Sequence, residues 1–133
     1  MHTPSAPAVV RLHRAYPGRP DQVKKVRADL AALLDGCPAA DDLILCASEL
    51  ATNAVRHSRS GLRRATFTLR AEIGLGSHAR IEIQDRGGPW RSPAPGPGKH
   101  HGLDIIRNLA TTWEIEGDHL GRTIWVRIDW PQP

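Results

Sequence analysis

Apolar residues recur at two spacings along this chain, and the switches between them mark out its elements. From Asp21, apolar residues fall at Val23, Val26, Leu30, Leu33 and Leu34, a helical period, and Gly36 and Pro38 end that helix. Leu43, Ile44, Ala47, Leu50, Ala51, Ala54 and Val55 repeat the period. They predict a second helix, capped by Asp41 or Asp42 and running to about Ser58. The period then drops to two: Phe67, Leu69, Ala71 and Ile73 alternate with Thr68, Arg70 and Glu72, the pattern of a half-buried strand. Gly74 to Ser77 turns the chain, and Ile81, Ile83 and Asp85 share one face of a second strand. Residues 86–100, RGGPWRSPAPGPGKH, hold four Gly and four Pro, so no regular element is expected there. A third helix is expected from His101-Gly102 through Leu103, Ile106 and Leu109, then a strand at Trp113 and Ile115. Gly117 to Gly121 turns the chain into a last strand, where Ile124, Val126, Ile128 and Trp130 alternate with Trp125, Arg127 and Asp129. Upstream, Val9 to Ala15 reads as a short edge strand, Pro17 to Pro20 as a turn, and residues 1–8 as a flexible tail.

Strands outnumber helices and are mostly joined by hairpins. The pattern predicts an α+β fold, a two-layer α/β sandwich whose mixed, mostly antiparallel sheet carries the helices on one face. With 133 residues and no internal repeat, residues 9–133 read as a single domain able to bury a core without staples.

The formal charge is +4, which invites a nucleic-acid reading. Its 18 basic residues are 15 Arg and 3 Lys, scattered rather than gathered into a stripe, a bias that a GC-rich genome would impose. No helix-turn-helix or other base-reading motif is present, so no direct nucleic-acid contact is expected. No apolar run approaches the roughly 18 residues of a membrane span, and MHTPSAPAVV lacks the layout of a signal peptide. A cytoplasmic location without membrane contact is therefore expected. Cys37 and Cys46 form no C-x-x-C pair, and Cys46 falls on the apolar side of its helix as a small core residue.

Two features do not fit a plain sandwich. Glu49, Asn53 and His57 stand at i, i+4 and i+8, which puts a carboxylate, a carboxamide and an imidazole on one stripe of the second helix. Asp85 lies on the strand face that should meet the helices, where a carboxylate is costly unless partnered. Gly87 and Gly88 follow it and permit close backbone approach, and Gly102 opens a helix whose free N–H groups can receive phosphate oxygens. Together these parts describe a nucleotide pocket. An ionised Asp85 accepts from the amine of adenine and disfavours the carbonyl of guanine. Asn53 offers a neutral oxygen that suits Mg²⁺, Glu49 can deprotonate an attacking hydroxyl, and His57 can hydrogen-bond a phosphate or its water. Lys99, His100 and His101 stand just before the phosphate-binding helix end. Each residue also has a plainer reading: Glu49 as a surface carboxylate pairing with Arg56, Asp85 as a strand terminator, Gly87-Gly88 and the loop as a linker, Gly102 as a turn residue.

The motifs resemble those of the GHKL ATPase superfamily with its Bergerat fold, from about residue 9 to residue 130. Glu49-x-x-x-Asn53-Ala-x-x-His57 is similar to the N box, Asp85-Arg-Gly87-Gly88 to the G1 box, and His101-Gly102-Leu103-x-Ile-Ile to the G2 box. Leu109 to Trp113 and Gly121 to Trp125 are similar to the last strands of that superfamily. Within it, the likeness is nearest to small anti-sigma-factor serine/threonine kinases of bacterial partner-switching systems. The resemblance implies ATP and Mg²⁺ as cofactors. It implies Glu49 as catalytic base, Asn53 as metal ligand, and His57, Asp85, Gly87, Gly88, Lys99, His101, Gly102 and Leu103 as further nucleotide contacts. It also implies a sigma factor and a STAS-type anti-sigma antagonist as partners, and allows a homodimer. A binding module that responds to ATP without phosphoryl transfer is the alternative. Two positions depart from the pattern: Pro89 replaces the second G1 glycine and His100 a G2 glycine, which stiffens the lid backbone.

Overall fold

The computed structural model describes residues 9–57, 65–74, 77–87, 102–118 and 120–130. The first helix, α1 (Asp21–Leu33), buries Val26 and Leu30, and Leu34 extends the same stripe beyond its end. It stops where Gly36 takes a left-handed φ of 79°, a conformation glycine adopts without a Cβ penalty. The second helix, α2 (Ala40–His57), starts one residue earlier than the expected caps. Asp41 and Asp42 are therefore not caps. They lie in the first turn, where carboxylates complement the positive end of the helix. The start is set by a backbone turn instead, with the Ala40 N–H donating to the Cys37 carbonyl at 3.1 Å.

The strands are β1 (Val9–Pro17), β2 (Thr66–Gly74), β3 (His78–Asp85), β4 (Thr112–Asp118) and β5 (Gly121–Asp129), with α3 (Gly102–Leu109) between β3 and β4. They form one sheet in the order β1-β2-β3-β5-β4, with every neighbouring pair antiparallel. The expected mixed sheet is thus corrected to an antiparallel one. The reason is connectivity. Two helices between β1 and β2 return the chain antiparallel, and two hairpins do the same. The single-helix crossover from β3 leads to β4, which shares its direction, but β5 lies between them, so the parallel strands never pair.

One face of the sheet is apolar and carries the helices. Phe67, Leu69, Ala71, Ile73, Ala79, Ile81, Ile83, Ile124, Val126 and Ile128 are all buried. α2 packs on β2, β3 and β5 and touches both other helices. Its buried Ala47, Ala51 and Ala54 let its backbone approach the strands, and Leu43 and Leu50 fill the spaces between. Edge strand β1 is tied to α1 by Tyr16, which stacks on Phe67 with ring centroids 5.5 Å apart and donates its hydroxyl to Asp29 Oδ2 at 2.7 Å. Burial, then the Asp29 carboxylate, pushes the Tyr16 phenol well up from its ordinary pKa. The other face is polar: Arg70 and Arg80 both reach Glu82, at 3.0 and 3.2 Å, and Arg80 lies over the Trp125 ring. Among the described residues no helix is long and apolar enough to cross a membrane.

Candidate functional site

Asp85 is the last residue of β3 and keeps the inward parity of Ile81 and Ile83. It is 8% exposed and is the one buried charged residue among those described. The ladder ends here, and released backbone N–H groups turn to the carboxylate. The Gly87 N–H donates to Asp85 Oδ1 at 2.7 Å. Gly87 adopts a φ of 70°, so the tight turn requires glycine. Burial pushes the Asp85 carboxyl up from its ordinary pKa. The Gly87 N–H, the charge of Arg122 and the Arg122 backbone N–H oppose that rise without cancelling it.

The sheet register fixes which strand ends lie beside Asp85. The end of β3 meets the start of β5, where Asp85 is registered against Arg122. The start of β2 lies at the same end, because Thr68 is registered against Gln84. α2 precedes β2 in the chain and packs on β2, β3 and β5, and Glu49, Asn53 and His57 lie in its C-terminal half. α3 finishes at Leu109, three residues before Thr112, which is registered against Arg127 at the opposite end of β5. Its eight residues begin at Gly102, and the helix packs against α2.

Along the α2 stripe, Glu49 and Asn53 are half-buried. Thr52 between them donates its hydroxyl to the Ser48 carbonyl at 2.8 Å and so serves the helix itself. Among the described residues, Glu49 makes no ion pair with Arg56, and neither the Glu49 nor the Asn53 side chain is engaged in a hydrogen bond. Their polar atoms are available to a ligand. His57 closes α2, but its side chain lies outside the described residues. Leu103 is half-buried and packs against the core at the head of α3. Gly88, Lys99 and His101, with the departures Pro89 and His100, lie outside the described residues.

Arg122 was absent from the expected site, although its parity could have revealed it. It alternates with Ile124, Val126 and Ile128, so it is an inward-facing charge on β5 as Asp85 is on β3. A concavity of about 320 Å³ lies over β1 and β2 beside Arg11, His13, Arg70, Glu72 and Arg80. Arg11 pairs with Glu72 there, and Arg70 and Arg80 with Glu82.

The family model of the histidine kinase-like ATPase domain matches residues 16–128, almost all of the described fold. Among solved structures, the chain is similar to the RsbU and RsbW domains of Rv1364c from Mycobacterium tuberculosis, with a TM-score of 0.70 and 20% identity. That match covers 92% of this chain and 34% of the other, so the chain spans about a third of its length. No curated protein matches.

Proposed function

From the premise that this chain belongs to the histidine kinase-like ATPase domain family, we propose that it binds ATP at the Asp85 end of the sandwich. There it would act as an anti-sigma-factor-type serine/threonine kinase, phosphorylating a STAS-type antagonist and regulating a sigma factor. The observation that carries the nucleotide reading is Asp85 itself. A buried carboxylate at a strand end, braced by the Gly87 N–H, is an expensive feature that an apolar residue would avoid. Its acceptor oxygens match the amine of adenine. The first free N–H groups of α3, at Gly102, would suit phosphate oxygens.

For transfer, Glu49 accepts the proton of the attacking hydroxyl, acting on the acceptor protein rather than on bound ATP. Asn53 fits Mg²⁺, because its carboxamide oxygen is a hard neutral donor engaged elsewhere by no described residue. When bound, the ion would neutralise charge on the phosphates. The α2 stripe thus presents a base and a metal donor one turn apart, facing the nucleotide end.

The test is incubation of the protein with labelled ATP and candidate antagonists, wild type beside Glu49→Gln. General-base assistance contributes about 10²–10⁴-fold, so transfer should fall by that factor while ATP affinity holds. A Gln variant transferring at the wild-type rate would leave Glu49 structural. The second reading, an ATP-responsive binding module, is favoured by Pro89 and His100, which stand in the sequence where the box patterns carry glycine. It wins if wild type transfers to no candidate yet ATP alters partner binding.

A further inference from the structure

Arg122 raises the question that Asp85 raised. It occupies an inward position on β5, in a row otherwise made of Ile124, Val126 and Ile128, and a cation among them needs a reason. Asp85 stands directly opposite it in the ladder. Opposed residues on one sheet face bring their Cβ atoms to about 5 Å, so the two side chains enter the same space at the end of the sandwich. The charge of Arg122 and its backbone N–H already act on the Asp85 carboxylate, and a guanidinium carries five N–H donors, more than one carboxylate can take up.

We propose that Arg122 reads the nucleobase jointly with Asp85, donating an N–H to adenine N1 while Asp85 accepts from the neighbouring exocyclic amine. The inference rests on the ATP reading and deepens it by naming a specificity-determining residue. Its chemistry is directional. Side by side, Asp85 and Arg122 present an acceptor and a donor. The pairing edge of adenine presents the complement, an amine donor beside a bare ring nitrogen. Guanine inverts both positions, with a carbonyl acceptor beside a protonated N1. GTP would therefore set its carbonyl against the Asp85 carboxylate and its N1–H against the Arg122 guanidinium. Two mismatches at one end exclude guanine more firmly than a single carboxylate could. The competing role is purely electrostatic, with Arg122 only keeping Asp85 ionised in its buried position. That role predicts no sensitivity to adenine N1.

The experiment is calorimetric titration of wild type and Arg122→Met with ATP, 1-deaza-ATP, in which N1 is replaced by C–H, and GTP. Wild type should bind 1-deaza-ATP about tenfold or more weakly than ATP. In Arg122→Met that ratio should collapse towards one, and discrimination against GTP should narrow. The ratio, rather than ATP affinity, is the readout, because any change in Asp85 ionisation affects both adenine ligands alike. The same ratio in both proteins would overturn the proposal. Wild type binding ATP and 1-deaza-ATP equally would overturn it without any variant, so a poorly folded Arg122→Met cannot rescue it. Failure of wild type to bind ATP at all would remove the nucleotide reading itself, an outcome distinct from ATP binding that ignores N1.

Discussion

Asp85→Asn should improve the empty protein and impair the loaded one. In the folded chain the Asp85 carboxyl is raised above its ordinary value, chiefly by burial. The native state therefore holds this proton more tightly than the unfolded chain does. Stability from this group is greatest at low pH and is lost as pH rises from the ordinary carboxylate pKa through the raised one. At neutral pH the ionised group thus costs the apo fold stability. Asn has the shape of the protonated acid and can still accept from the Gly87 N–H, so it removes that cost. Each 1 kcal/mol is worth about 4 °C in a domain of this size, which scanning calorimetry resolves easily. The apo variant should melt at or above wild type at pH 7, and its advantage should vanish in acid. ATP binding moves the opposite way. The variant loses a hydrogen bond to a charged acceptor, about 1.5–3 kcal/mol, or roughly tenfold to 150-fold in Kd. Asn also turns an N–H₂ towards the adenine amine if it keeps its oxygen on Gly87. A folded variant that binds ATP as wild type does would remove Asp85 from the base site. An apo variant that melts well below wild type at pH 7 would refute the burial argument.

Three further outcomes are expected. Asn53→Ala should weaken ATP binding in the presence of Mg²⁺ more than in its absence, measured by titration with and without chelator; equal losses would make Asn53 a packing residue. Tyr16→Phe removes the 2.7 Å bond to Asp29 and should cost about 1–3 kcal/mol in urea unfolding, with the slope unchanged. Cys46 is fully buried and its thiol is pushed up to about 11 by burial and by Asp42 and Glu49, so in native buffer Cys37 alone should react with a thiol reagent; prompt labelling of Cys46 would contradict the packing of α2.

The elements were legible because each switch of period is a local signal. The strand from Phe67 to Ile73 extends only one residue beyond either end of its alternation. The stripe of Glu49 and Asn53 was legible for the same reason, since i and i+4 coincide on any helix. Pairing was harder to read. Nothing local to Thr112–Asp118 says that β5 will insert between it and β3, so the sheet could not be fixed as antiparallel in advance. Helix starts were harder too, because an Asp before an apolar run suits a cap and a first turn equally, and a backbone turn at Cys37–Ala40 decided between them. Arg122 was missed for a different reason. The apolar alternation of the last strand starts at Ile124, and the strand itself begins three residues earlier. Extending the count by one step marks Arg122 as inward.

The location of the site follows from the hydrogen-bond economy of a sandwich. Within a sheet, ladder bonds consume the backbone donors, and within a helix the next turn does. Donors are released where elements stop. At the Asp85 end, β3 finishes and β5 begins, so backbone N–H groups from Gly87 and Arg122 turn to one carboxylate. Carboxylates and phosphates need such donors, and mid-sheet positions such as Ile81 and Val126 have none to give. The same end can bear polar side chains at least cost, because the apolar face gives way there to the strand ends. Burying Asp85 one register step deeper, at Ile83, would set a charge among ladder bonds already spent, with no turn glycine to brace it. In the proposed site Glu49 and Asn53 would add a base and a metal donor from α2. Their helix packs across the sheet to bury Leu43, Cys46, Leu50 and Ala54, and Glu49 and Asn53, half-buried on its flank, add polar groups without removing any residue from the core.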